Sequence, residues 1–441
     1  MAYGKINVGG GAKLPGNVLQ AEIGLGENIG KGDLVDILKG KMVKSFDKEI
    51  RVINSTTYES KPIYDYQSIK LSSTKVLLIY HTGNSTSRKV NLTAKIIDTS
   101  GLLPVVTQTF VIDYLTALSS LSVHLLPDGR VILLYTNYDD KNGRAVLLAI
   151  DSNDLITAGE ILIYSTYAPE YITIHETAID SEINILFTDS YHDGGVLKLT
   201  LNSDNTISMG TIYVFDTYYF PVTAVEIVPN FVLVLNFSDS DCDNMRASVL
   251  TINENSSASI IGDQFIASSS YGFSSITLRK LSSDNKFLVS YGENGHMLNN
   301  DVKDRNFIVQ AFEVTDIANG SITVGEDCRI YNHMYLAFCP SSLFTIGNDR
   351  AIAFYQISDN DTSYAVTLKV AEDNTTSVMN TTDISEIVDD IKGAVLTDDN
   401  SIIILQNYSF TLLSSYDKSL GIALQDGVGG ETKKFNLWGK V

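Results

Sequence analysis

A unit of roughly 50 residues recurs along this chain, a spacing that belongs to stacked or radial repeat architectures. Each copy runs in the same order: an apolar strand, a short Asp/Ser/Gly turn, a very hydrophobic strand, a polar loop, then two alternating strands. The cleanest copy is Ser122 to Leu126, the turn Pro127–Asp128–Gly129, Arg130 to Tyr135, the loop Asn137 to Gly143, then Arg144 to Ile150 and Glu160 to Tyr164. Others lie near 68–112, 171–215, 222–267, 274–331 and 335–380. Apolar residues alternate with a period of two and show no helical period, so the units predict an all-β chain of four-stranded blades, a β-propeller.

The seventh copy is short by one strand. Lys392–Leu396, Ser401–Gln406 and Tyr408–Leu413 supply three strands, after which the pattern stops. A matching fourth, Glu49–Asn54, precedes the first full blade. Pairing it with the last blade would close a seven-bladed ring and remove an open sheet edge. The expected division is therefore a propeller over 45–415, closed by strand 49–54, inserted in a small β-barrel or β-roll built from 1–44 and 416–441.

Bulk properties narrow the function. Net charge is −20, and because 1–48 and 417–441 are weakly basic, the acids are concentrated on the propeller. Such a surface repels phosphate backbones and argues against nucleic acid. No apolar run is long enough for a membrane span, and the first residues lack the apolar core of a signal peptide. Three scattered cysteines do not make a disulfide framework, so reduced thiols and synthesis in a cytoplasm are expected.

The chain ends are Gly-punctuated short strands. Gly26, Ile29, Gly32, Asp33 and Val35 lie in "GENIGKGDLVDILKG", and Gly421, Ile422, Ala423, Leu424, Gly427, Gly430 and Glu431 lie in "LGIALQDGVGGE". These two stretches resemble the small β domains of bacteriophage virion proteins, of the capsid-decoration and head- or tail-fibre type. The resemblance implies that this base docks on capsid or tail proteins of a virion, as a homo-oligomer. Gly26, Ile29, Gly32, Asp33, Val35, Gly421, Ile422 and Trp438 are the docking candidates.

Connectivity orients the ring. The base interrupts the closing blade between its third and fourth strands, so it belongs on the face that carries the first-to-second and third-to-fourth turns. The opposite face carries aromatic blade entrances, with Tyr64, Tyr66, Tyr114, Tyr167, Tyr171, Tyr218, Tyr219, Phe220, Tyr271 and Tyr335. It also carries acidic loops, with Asp139, Asp140, Asp189, Asp239, Asp241, Asp301 and Asp359. Aromatic rings that stack on the apolar side of a sugar, beside groups that bind hydroxyls, suit a host-surface glycan. The bland alternative is inter-blade packing and turn geometry.

Other chemistry has weak support. Asp239–Asn244 begins like a calcium loop but lacks Gly at the sixth place and Glu at the twelfth, so no metal is expected. The six His have no ligand spacing, and His175–Glu176 lacks the second His of a zincin. Gly24–Lys31 has the wrong spacing for a nucleotide loop, and no cofactor is expected. The sequence therefore predicts a non-enzymatic virion component that displays its propeller to a host. Two alternatives stand beside it: a tail-fibre receptor-binding protein, and a propeller polysaccharide lyase or glycosidase.

Overall fold

The computed structural model describes the strands between residues 18 and 437 with most of their turns, and most side chains between 66 and 381. Outside the described residues lie 1–17, 24–27, 30–33, 39–40, 45–49, 58–62, 85–86, 101–103, 116–117, 138, 178, 189–192, 218–219, 238–243, 254–256, 270–272, 282–284, 294–296, 299–300, 303–304, 334–335, 338–342, 347–348, 358–361, 384–392, 397–400, 406–408, 416–420, 424–426, 429–431 and 438–441.

Seven antiparallel sheets of four or five strands follow one another along the chain. The first comprises Ile63–Lys70, Lys75–Asn84, Ser87–Asp98 and Val105–Leu115. The second comprises Leu118–Leu125, Val131–Asn137, Gly143–Ile150 and an outer strand in two pieces, Ile156–Ala158 and Leu162–Ser165. The third is Glu170–Glu176, Glu182–Thr188, Asp193–Leu201 and Ile207–Thr217. The fourth is Phe220–Val228, Phe231–Phe237, Asn244–Ile252 and Ala258–Ser268. The fifth is Phe273–Lys280, Lys286–Glu293, Arg305–Asp316 and Ser321–Val324, extended by Cys328–His333. In the sixth, Leu336–Ala337 and Leu343–Ile346 pair with Arg350–Ile357, followed by Thr362–Val370 and Thr376–Asp383. First strands of consecutive sheets touch in order from the first sheet to the sixth, and Gly393–Leu396 of the seventh touches Ile63–Lys70. The succession therefore returns on itself.

The seventh sheet is Gly393–Leu396, Ser401–Leu405, Ser409–Ser415 and, as its outer strand, Ile50–Thr57. The donated strand is thus a few residues longer at its C-terminal end than the alternation in sequence indicates. Its register runs from Ser415 opposite Ile50 to Ser409 opposite Thr57. The two connections toward the chain ends, after Ser415 and before Ile50, leave from the same end of this sheet. Strands from both termini form a closed barrel in the order Val18–Ile23, Lys41–Lys44, Leu34–Leu38, Gly421–Ala423, Thr432–Leu437.

Second strands carry the core. Val131 to Asn137 is buried at every position, and Val76 to Tyr80 and Val232 to Leu235 are at most 1% exposed. A strand with a neighbouring sheet on each face has no solvated side, so its sequence is a continuous apolar run. Each fully buried aliphatic contributes about 1.5–3 kcal/mol.

One device recurs at the turn end of the seams. The turn between third and outer strand ends in a left-handed residue, Asp154, Asn205, Gly320 or Asn374, with φ between 64° and 67°. That turn presses on the outer strand of the preceding sheet. A Cβ on Gly159 would lie 2.0 Å from the Asn205 carbonyl oxygen, and one on Gly325 would lie 2.1 Å from that of Asn374. A cation at the second strand's start reaches the same turn of the next sheet. Lys75 pairs with Asp154, Arg130 donates to the Asn202 carbonyl at 2.6 Å, and Lys286 donates to the Glu372 carbonyl at 2.7 Å.

Candidate functional site

The opposite end of the sheets is held differently. At the seam between the first and second sheets, four side chains from three strands and a loop converge. Asp113 lies near the end of the outer strand Val105–Leu115 of the first sheet. Its Oδ2 accepts the Tyr135 hydroxyl at 2.7 Å and Arg144 Nη1 at 2.8 Å. Its Oδ1 accepts the Tyr114 backbone N–H at 2.7 Å. Arg144 Nη2 donates to Asp140 Oδ2 at 2.6 Å, while Asp140 Oδ1 accepts the Asn142 N–H at 3.0 Å. Arg144 Nε is buried and has no hydrogen-bond partner.

The electrostatics follow from these contacts. Burial, then the hydrogen bond and charge of Asp113, push the Tyr135 phenol well above its ordinary range, so it stays protonated. Burial opposes charge on Asp140, but the Asn142 N–H and Arg144 outweigh it and hold the carboxyl below the usual aspartate value. Burial likewise works against Arg144, and Asp140 overcomes it to keep the guanidinium charged.

Beside this cluster, the loop after Asn137 and the connection into the third sheet are tied together. Ala168 N–H donates to the Lys141 carbonyl at 2.7 Å, and the Thr136 hydroxyl donates to the Pro169 carbonyl at 2.6 Å. Gly143 permits the approach, since a Cβ there would meet Pro169 at 2.5 Å and the Tyr164 ring at 2.8 Å. Lys141, Ala168 and Tyr171 all have left-handed backbone, with φ of 60°, 47° and 48°. Elsewhere among the described residues, non-glycine residues with positive φ are Asn or Asp in turns, which tolerate it. Lys, Ala and Tyr have no such local reason, and each costs on the order of 1 kcal/mol or more. Tyr171 also lies within a register irregularity of its inner strand, between Glu170 and Thr173. Comparable irregularities stand near the start of the inner strands of the first, second, fourth and fifth sheets. Bulges of this kind re-aim side chains at functional rims.

Of the predicted glycan-face residues, the structure brings Asp139, Tyr167 and Tyr171 to this place. Asp139 is exposed, Tyr167 is 56% exposed and Tyr171 49%, with Tyr114 at 72% nearby in chain order. Tyr66 is a correction. It belongs to the inner strand, opposite Tyr80, and is buried in the core rather than displayed at a blade entrance. A register irregularity stands between Tyr64 and Tyr66, so their places in sequence do not by themselves say which face each takes. Tyr64 pairs in register with His81, and Phe220 with Phe237. Asp301 lies in a small hairpin opposite Leu298. Tyr218, Tyr219, Tyr271, Tyr335, Asp189, Asp239, Asp241 and Asp359 lie outside the described residues.

In the barrel, Val35 pairs with Gly421 and Leu34 with Ile422, so the two sequence stretches that flank the propeller are strand partners. Ile29 pairs with Gly427 in a separate ribbon. Gly26, Gly32, Asp33 and Trp438 lie outside the described residues.

The described residues contain no group of three or more His, Cys, Asp or Glu placed to hold a metal. His81 is buried in the second strand of the first sheet. His175 is buried with Nε2 3.1 Å from the Thr173 hydroxyl; burial, then the neighbouring His124, push it down to about 3, so it stays neutral.

Neither a family model nor a curated protein matches this sequence. Solved structures do match. The periplasmic gluconolactonase of Pseudomonas aeruginosa superposes with a TM-score of 0.51 at 12% identity, over 82% of this chain and 99% of that one. The β-propeller domain of Nup133 from Vanderwaltozyma polyspora gives 0.47 at 9% identity, over 80% of this chain and all of that one. The polysaccharide lyase Uly1 gives 0.46 at 9%, over 90% of this chain and all of that one. The gluconolactonase likeness, together with the succession of antiparallel sheets, identifies the fold: the chain is an all-β protein with a β-propeller.

Proposed function

We propose that this chain is a recognition protein whose base barrel attaches it to a larger assembly, a phage particle by the resemblance of its ends. Its propeller presents the Tyr114–Asp140–Tyr167–Tyr171 region to a surface carbohydrate. The carrying observation is the concentration of left-handed Lys141, Ala168 and Tyr171 beside exposed tyrosines. Backbone strain with no local cause is retained where the surrounding structure holds a site in place. The barrel's connections support the division of labour. They leave the seventh sheet at Ser415 and Ile50, the end that carries the turns, and so the loop end stays open to a ligand.

Exposed tyrosine rings give a sugar a flat apolar partner, and carboxylates accept its hydroxyls. Arg144 is already shared between Asp113 and Asp140, so the cluster is acceptor-rich and favours neutral sugars over acidic ones. Tyr167→Ala and Tyr114→Ala should each weaken binding to an isolated host-surface polysaccharide about tenfold, roughly 1.4 kcal/mol of lost contact. Retention on that polysaccharide measures this, and unchanged retention in both variants would retire the site. Co-purification with intact particles, in a ratio that matches head or tail symmetry, tests the attachment.

The competing reading is that the same face cleaves the polysaccharide it binds. The Asp113–Tyr135–Arg144 group favours it, since acids and phenols in contact are the groups that move protons. Against it, Tyr135 is held protonated and its O–H is already donated to Asp113. New reducing or unsaturated ends after incubation would establish cleavage in place of binding alone.

A further inference from the structure

The outer strand of the third sheet, Ile207–Thr217, is unlike an ordinary exposed edge. It ends its sheet, so among the described strands one of its backbone edges is unpaired. Ser208 to Val214 are exposed without interruption, and no charged residue occurs from Ile207 to Phe215. Native edges are usually protected by Lys, Pro or a bulge directed outward. This strand is bulged against Asp193–Leu201 near Phe215 and near Gly210–Thr211, yet it has no Lys or Pro and carries Met209 (49% exposed), Ile212 (38%), Tyr213 (38%) and Val214 (54%). The outer strands of the second and fourth sheets touch it on either side and add Ile163 (49%) and Phe265 (44%).

We propose that this rim is an interface between two copies of the chain, formed by antiparallel edge pairing of Ile207–Thr217 with itself across a two-fold axis. Three observations select a second copy as the occupant. At 38–54% exposure, the six apolar side chains leave on the order of 600 Å² bare, close to the roughly 800 Å² per partner of a standard interface. The net charge of −20 makes copies repel wherever acids face each other, and this strip is a charge-poor place for them to meet. Its flanking carboxylate Asp263 is already paired with Arg246 at 2.6 Å. Finally, a strand edge pairs with itself antiparallel, so one surface serves both partners, as an isologous dimer requires.

Sedimentation velocity of the full chain over a concentration series tests this. The expected species has twice the 48.3 kDa chain mass, and it strengthens as salt screens the mutual repulsion. Ile212→Lys and Val214→Lys should each weaken the association at least tenfold with the thermal midpoint of unfolding unchanged. Val378→Lys, an equally exposed site on the sixth sheet's outer strand, should leave it intact. A wild type that sediments at the chain mass throughout, or an association that neither rim lysine weakens, would overturn the proposal.

Discussion

Gly262→Val is expected to destabilise the protein by more than 3 kcal/mol, beyond the usual range for overpacking. Gly262 lies in the outer strand of the fourth sheet and faces the turn of the fifth. A Cβ there would lie 1.9 Å from the Gly320 carbonyl oxygen and 2.6 Å from its Cα. Main chain stands on both sides, so no rotamer change relieves the clash and two sheets must separate. Gly129→Ala is the comparison. That residue has φ +85° and nothing within 4 Å, so only the left-handed penalty of about 1 kcal/mol applies. Denaturant unfolding of both variants reads the difference. Equal losses would mean that the seam does not carry this stability.

Asp113→Ala should have the next largest effect, on stability and binding together. It removes the acceptor of both Tyr135 and Arg144, whose side chains meet where Asp113 is only 16% and Arg144 18% exposed. Leaving the phenol without its acceptor and the half-buried cation with Asp140 alone costs about 3 kcal/mol. Asp113→Asn keeps an oxygen acceptor and should recover part of the loss. Binding should fall with it, because Arg144 also holds the Asp140 loop. The pH dependence separates the two ends of the cluster. Asp140 has a depressed folded value, so its contribution is present above the ordinary aspartate range near pH 4 and lost as pH falls below it. The stability gap between wild type and Asp140→Asn should therefore be full at neutral pH and shrink as pH falls below about 4. A gap that stays constant would show that Asp140 adds nothing through its charge.

The repeat was legible because a buried second strand must be apolar at every position, as in Val131 to Tyr135, and because turns such as Asp128–Gly129 are chemically marked. The donated strand was legible too, since the seventh copy lacked one. Its boundaries were not, because Ser55, Thr56 and Thr57 pair as well as the apolar residues before them. The candidate site was partly readable. Asp139, Tyr167 and Tyr171 could be placed from loop position, whereas Asp113, Tyr135 and Arg144 could not. Asp113 and Arg144 are 31 residues apart on different sheets, and no local pattern announces that they meet. Tyr66 shows the opposite failure, where its place near a blade entrance suggested a displayed ring and its pairing opposite Tyr80 on the inner strand buries it.

The proposed division of labour depends on Ile50–Thr57 completing the last sheet, because that pairing brings both connections toward the chain ends to one end of that sheet. The direct measurement is a cross-link. Cysteines at positions 51 and 414, which stand opposite each other, are introduced with Cys242, Cys328 and Cys339 replaced by alanine. Cross-strand neighbours are about 4.5–5.5 Å apart at Cβ, within reach of a disulfide after small adjustment. After mild oxidation and proteolysis, mass spectrometry should find the peptide containing residue 51 joined to the one containing residue 414. Free thiols at both positions in the folded protein, or equal linkage from a pair shifted out of register, would contradict the closure.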